Sequence, residues 1–230
     1  LDSGLASHPD VTTRAVATWP NESISFAALA NDRGVLPMLT LYFAPGASSM
    51  APHVALHEIG APFESRPLSF HRKENRDPAF LAINPEGKVP TLLLDDRPLT
   101  EVAGILFYLA RRFPQAGLLP TGDVESEARV VSWMSFIAAT VHPARRQALE
   151  HARRVYAVAD QRLGEQDWAV GRYSIADIHL FRLFWRFRGM LGAEPDEFPH
   201  LSAHYERMMA RPAVRKTIEI EAAIGYQLPA

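Results

Sequence analysis

The chain has 230 residues, room for one large domain or two small ones, and 47% hydrophobic with 22% charged residues gives it a sizeable core rather than a disordered or fibrous character. A formal charge of −2 gives no basis for binding nucleic acid or an anionic membrane. Cysteine is absent, which excludes disulfides, thiolate zinc sites and a protein-thiol nucleophile; with no apolar run of membrane-spanning length and no basic-then-apolar leader, a cytoplasmic location is the default expectation.

Residues 1–37 mix Ser, Thr, Asp, Asn, Pro and Ala with weak periodicity and are expected to be a weakly ordered N-terminal extension, where only "ISFAALAN" has the makings of a short helix. From Met38 the pattern sharpens. Residues 38–43 read as a strand, 48–59 as a helix stopped by Gly60, and 63–68 as a second strand. Asp77-Pro78 opens a short helix, with Asp77 as cap and Pro78 at its first position. "VPTLLLDDRPLTE" reads as two strands around the turn 95–98, and Thr100 is placed to cap a helix over 101–113 whose Val102, Ile105, Leu106 and Leu109 share one face. The order βαβ, then αββα, predicts a small α/β layer with a mixed sheet.

After the linker "PQAGLLPTGD" only helical patterns appear. Val130, Val131, Met134, Ile137, Ala138 and Val141 mark one face of a helix that Pro143 is expected to kink or end near His142, and residues 145–163 read helical again. Ser174-Ile-Ala-Asp177 resembles a capping box, and the helix it opens carries Ile178, Phe181, Phe184, Trp185 and Phe187, so it is expected in the core. Two more helices follow. The fold class is thus α/β plus all-α, with an α/β domain over 38–115 and an all-helical domain over 124–225.

Four segments, "LYFAPGASSMAPHVALHEIGAPFE", "NPEGKVPTLLLDD", "LTEVAGILFYLARRFP" and "VGRYSIADIHLF", together resemble the glutathione S-transferase family in their order and spacing, nearest in style to its bacterial, beta-like members. The resemblance implies a thioredoxin-like N-terminal domain, an all-helical C-terminal domain, a homodimer, and glutathione as co-substrate with no metal. It implies transfer of that thiol to a small hydrophobic electrophile, a detoxification chemistry.

A free thiol has a pKa of about 8.5, so such an enzyme must supply donors or positive potential at the sulfur. Ser48-Ser49 sits where a helix N-terminus attracts an anion: Ser48 is expected to donate to the thiolate and Ser49 to cap the helix. Beta-like enzymes have a cysteine after "PGA"; Ser48 stands there here, so the cysteine's chemistry is not inherited. Tyr42, at the end of the first strand, is a rival activator or else a packed strand aromatic. His142 matches a histidine that faces the thiol in beta-like enzymes, or else is a helix-end residue beside Pro143. The resemblance further implies a cis Pro90, a strand-like pairing of Val89 with the cysteinyl group, and Lys88 near a carboxylate of the peptide. Glu101 matches an acidic residue that meets the γ-glutamyl amino group, whereas Val102 replaces the usual serine and leaves only backbone N–H groups for the α-carboxylate.

Phe43, Trp133, Met134 and Phe136 are candidate linings of an apolar electrophile site. His53, His57 and His179 are expected to pack or cap within helices rather than bind metal, and the arginine pairs 111–112, 145–146 and 153–154 to lie on solvated faces or dimer contacts. Two alternatives stay open: a glutathione-dependent disulfide reductase using two glutathione molecules in one site, and a non-catalytic binding or dimerisation module.

Overall fold

The structure, a computed structural model, describes residues 38–226 apart from 192, 193 and 195; the expected extension over 1–37 lies outside the described residues. Strand β1 (Leu39–Phe43) is central, flanked by β2 (Phe63–Pro67) in parallel and β3 (Thr91–Leu94) antiparallel, with β4 (Arg97–Thr100) beyond β3, giving the order β2-β1-β3-β4. Alternation along β1 divides its side chains between two faces. Leu39, Leu41 and Phe43 join the main core with Met50 and Val54 of α1 (Met50–Ile59) and Ile105 and Leu109 of α3 (Val102–Arg112). Tyr42 turns to the other face, where Phe80 of α2 (Pro78–Ile83) meets Ala47 and Val89 in a smaller cluster. The sheet with its helices is the thioredoxin-like layer.

The helical part comprises α4 (Val124–Phe136), a π-helical segment Ile137–Val141, the short α5 (His142–Ala144), α6 (Leu149–Leu163), α7 (Ile175–Leu191), α8 (Pro199–Met209) and α9 (Pro212–Ile224). Helix α7 is the buried axis: Ile178, Phe181, Phe184 and Phe187 are all in the core, which runs unbroken into that of the sheet layer. Its start is the expected capping box, for Asp177 accepts from Ser174 N–H at 2.8 Å while the Ser174 hydroxyl accepts from Ala176 N–H. The same buried carboxylate accepts from Ala169 N–H and bonds His204 Nε2, so none of its capacity is wasted.

Local differences from the expected elements have physical causes. Thr100 remains in β4 and does not cap α3; Glu101 occupies the cap position with φ 66°. Asp77 precedes α2 but its side chain makes no capping bond. The hairpin turn shortens to Asp95-Asp96, since Asp95 takes a left-handed φ of 57° that lets Arg97 and Pro98 pair in β4. Pro143 does not stop the chain near His142. Just ahead of it the helix widens into the π segment, where His142 N–H reaches back to Ile137, and the chain stays helical through Ala144 before breaking ahead of α6.

Candidate functional site

The loop Pro45–Ser49 carries β1 into α1, and the helical part grips it by opposite charges. Arg182 of α7 donates from Nε to the Ala47 carbonyl at 3.0 Å and from Nη2 to the Gly46 carbonyl at 2.8 Å. Glu221 of α9 accepts Gly46 N–H at 2.7 Å and pairs with His53 Nδ1 at 2.8 Å, with both side chains buried. Ser49 does not cap α1 with its hydroxyl. It is wholly buried, accepting Ala44 N–H and donating to the Ala44 carbonyl, which closes the loop on itself. Ser48 is left half-buried at the lip of the cavity, its hydroxyl donating to the Val89 carbonyl at 3.2 Å.

Val89 precedes a cis proline, Pro90. The turn before it is fixed by Asn84, whose buried amide donates to the Lys88 carbonyl at 2.9 Å and to Thr91 Oγ1 at 3.0 Å while its oxygen accepts Glu86 N–H. Gly87 has φ 61°, and a Cβ there would come within 2.6 Å of the Asn75 carbonyl, so only glycine fits. Lys88 is exposed and paired with Glu86 at 2.6 Å.

Two clefts meet at Ser48. The smaller, about 230 Å³, runs from Ser48 past Lys88, Val89 and Pro90 to Glu101 and Val102 at the start of α3, with His142 and His179 as its opposite wall. Here Glu101 holds a positive φ that a non-glycine residue adopts only under constraint. The N-terminal N–H groups of α3 have no acceptor within the helix, which makes this end a natural anion contact. The larger cleft, about 570 Å³, also reaches Ser48 and Val89 and is lined by Phe70 and the arginines 145, 146, 182 and 186; Lys88, His142 and Arg146 border both.

The electrostatics are one-sided. Burial, then the charges of Arg182, Arg145, Arg146 and Arg186, pull the His142 pKa down to about 4, so its imidazole is neutral at physiological pH. His179 falls to about 3, first by burial and then by His142 and Arg182, and neither ring nitrogen has a hydrogen-bond partner among the described residues. Its expected packing role holds, but it also walls the smaller cleft.

The structure therefore gathers Ser48, Lys88, Val89, Pro90, Glu101, Val102 and His142 along one cleft. It sets Tyr42 apart: the ring packs on Phe80, the hydroxyl accepts from Arg66 at 3.0 Å, and the residue lines neither cleft. Phe43, Trp133 and Met134 are core residues and Phe136 packs against that core, so the expected apolar lining is not where these aromatics are. Arginines 145 and 146 line the clefts instead of a solvated face, and Arg112 is buried; Arg111, Arg153 and Arg154 form ion pairs with Glu127, Glu197 and Glu150. Sequence reading missed Arg182, Arg186, Asn84 and Glu221. The first two are charges set among the aromatic and aliphatic residues of a mostly buried helix, and that interruption was the available signal. Among the described residues no group of three or more side chains is arranged to hold a metal ion.

A family model of the glutathione S-transferase N-terminal domain matches residues 37–111, and one of the C-terminal domain matches 123–212. The glutathione S-transferase GstA of Escherichia coli O157:H7 is 34% identical over 204 residues, spanning 80% of this chain and 98% of that protein. A sphingomonad glutathione S-transferase solved in complex with glutathione aligns with TM-score 0.71 and 32% identity over 80% of this chain and 98% of its own. The bacterial beta-class enzyme of Sphingomonas chungbukensis aligns with TM-score 0.70 and 32% identity over 79% and 98%. With both halves matched in order on a thioredoxin-like layer and a helical part, the chain belongs to the glutathione S-transferase family.

Proposed function

We propose that the protein binds glutathione in the smaller cleft, ionises its thiol at Ser48, and delivers the thiolate to a small hydrophobic electrophile in the larger cleft. One observation carries this reading: Ser48, Val89 and His142 border both clefts, so a sulfur at Ser48 has the peptide on one side and the electrophile on the other. In this reading residues 38–115 bind glutathione, and residues 124–225 supply the wall that holds the second substrate. Val89 pairs its backbone with the cysteinyl group, Lys88 meets a carboxylate, Glu101 faces the α-amino group, and the N–H groups at Val102 hold the α-carboxylate.

Three features favour the thiolate. The Ser48 hydroxyl turns from the Val89 carbonyl to the sulfur, the N-terminus of α1 adds its dipole, and the clustered arginines add positive potential. His142, kept neutral by its surroundings, is too weak a base to hold the thiol proton, which leaves to solvent; its imidazole instead orients the bound substrate. The thiolate then attacks the electrophilic carbon; a carbon–sulfur bond forms and the leaving group departs with its electron pair.

The assembly we propose is a homodimer joined through α3 and α4. Phe107 on α3 and Val124 and Val131 on α4 are large exposed apolar residues, and the Arg111–Glu127 pair ties the two helices together within this stretch. No helix among the described residues is long and apolar enough to cross a membrane, and the proposed location is the cytoplasm.

The test is calorimetric titration with glutathione together with conjugation of chlorodinitrobenzene. Wild type is expected to bind and conjugate, and Ser48→Ala to lose about 10-fold to 100-fold in kcat/KM. Absence of glutathione binding by wild type would overturn the reading.

A further inference from the structure

We propose that the larger cleft selects electrophiles bearing a carboxylate, received by Arg145 and Arg186 while the reactive carbon meets the sulfur at Ser48. This deepens the transferase reading by naming the substrate class of the same site. Among the described residues the cleft is lined by five arginines and Lys88, and by no aspartate or glutamate. The nearby carboxylates among the described residues are engaged: Glu221 bonds Gly46 and His53 while partly opposing the charge of Arg182, and Glu86 pairs with Lys88. Arg182, a residue only 2% exposed, uses Nε and Nη2 to hold the loop, yet its Nη1 is buried without an acceptor among the described residues. Arg145 Nε is likewise buried without an acceptor. Arg182 and Arg186 lie one turn apart on α7, and Arg145 approaches from the end of α5, so three guanidinium groups from two elements converge.

Holding the loop explains two donors of Arg182 but does not explain Arg145. The convergence also carries an electrostatic burden. Burial, then Arg145 and Arg186, draws the Arg182 pKa down to about 9, and the other two are pulled down by burial and by a neighbouring arginine. A bound carboxylate offsets the positive charge gathered here and accepts the unmatched N–H groups of Arg145 and Arg182 in the forked geometry that guanidinium favours. Phe70, Ala47 and Val89 form the apolar wall for the rest of such a molecule. The cleft assigned to the peptide shares Ser48, Lys88, Val89, His142 and Arg146 with the larger one but is not lined by Arg145, Arg182 or Arg186.

The experiment compares 4-chloro-3-nitrobenzoate with its methyl ester as electrophiles, each rate divided by its uncatalysed rate with glutathione. In both, the thiolate attacks the carbon bearing chlorine, a carbon–sulfur bond forms, and chloride leaves with the bonding pair. Wild type is expected to favour the acid at least about 10-fold in kcat/KM, Arg145→Gln to lose most of that preference, and Arg145→Lys to keep part of it. Binding of the unreactive pair 3-nitrobenzoate and 3-nitrobenzamide, measured by calorimetry, tests the anion site without turnover. If glutathione does not bind but the benzoate still binds more tightly than the amide and Arg145→Gln abolishes the difference, the transferase reading fails and the anion site stands. Equal treatment of acid and neutral partner in both assays, or a preference untouched by Arg145→Gln, overturns the proposal. Two glutathione equivalents per chain, one of them displaced by the benzoate and lost in Arg145→Gln, would also overturn it, making the occupant a second tripeptide.

Discussion

The Ser48 hydroxyl donates to the Val89 carbonyl at 3.2 Å, joining the N-terminus of α1 to the residue before cis Pro90 across 41 positions of sequence. The bond holds the one hydroxyl not used inside the loop at the junction of the two clefts. Ser49, its neighbour, is spent entirely on Ala44. The paired serines thus divide the work: one builds the loop and the other faces the cavity.

Asn84 supports that junction from below. Asn84→Ala would strip the part-buried Lys88 carbonyl of one of two donors, the buried Thr91 hydroxyl of a donor and Glu86 N–H of an acceptor. The expected loss is about 1–3 kcal/mol of stability, with a raised KM for glutathione because Val89 is no longer fixed. Urea unfolding and steady-state kinetics check the two effects separately.

Glu221 reaches the site from 175 residues away, and its removal should be felt at the loop. Glu221→Ala leaves Gly46 N–H buried without an acceptor and Arg182 without its opposing charge. A loss of about 3–5 kcal/mol follows from breaking a buried charged contact on one side. Hydrogen exchange at residues 44–49 should rise well beyond that in the sheet.

Acid should unfold the protein through its histidines. His57 and His142 are lowered to about 4 and His179 to about 3 by burial and neighbouring positive groups, against an ordinary value of 6.5. The unfolded chain therefore binds protons that the folded chain refuses. The stability is fully present above pH 6.5 and drains away as pH falls toward the folded values, by up to about 1.4 kcal/mol per pH unit for the buried His179 and by less for His57 and His142, which solvent partly screens. Urea midpoints from pH 7.5 to 4.5 should fall accordingly, and His179→Gln should flatten the slope.

The dimer is tested at Phe107, which is 43% exposed on α3. Phe107→Glu should convert the species seen by analytical ultracentrifugation from dimer to monomer at micromolar concentration. A wild-type chain that sediments as a monomer would remove the proposed interface.

The elements were legible where a local rule sufficed. Gly60 takes the left-handed C-terminal position of α1, the Ser174–Asp177 box opens α7, and the period-two alternation of β1 divides its faces. The start of α3 was misread because Thr100 has the better capping chemistry, while sheet pairing keeps it in β4 and leaves Glu101 in a strained conformation at the cleft. Ser48, Val89, Glu101 and His142 could be named from the family resemblance, and the structure brings them together. The arginines could not be placed. Arg145 and Arg146 follow a helix end that looks exposed, and Arg182 and Arg186 face the cleft only because α7 packs behind the loop at residues 46–47, a tertiary fact with no local trace. Phe43, Trp133 and Met134 were plausible linings by chemistry and are core by packing.

The most direct measurement is the ultraviolet thiolate absorption of glutathione bound to wild type and to Ser48→Ala, followed across pH. The account predicts an apparent thiol pKa well below the free value of about 8.5 on wild type, and a rise of about one unit or more in the variant. An unchanged thiolate titration in Ser48→Ala would contradict it, since the sulfur would then be held by something other than the hydroxyl at the meeting point of the two clefts.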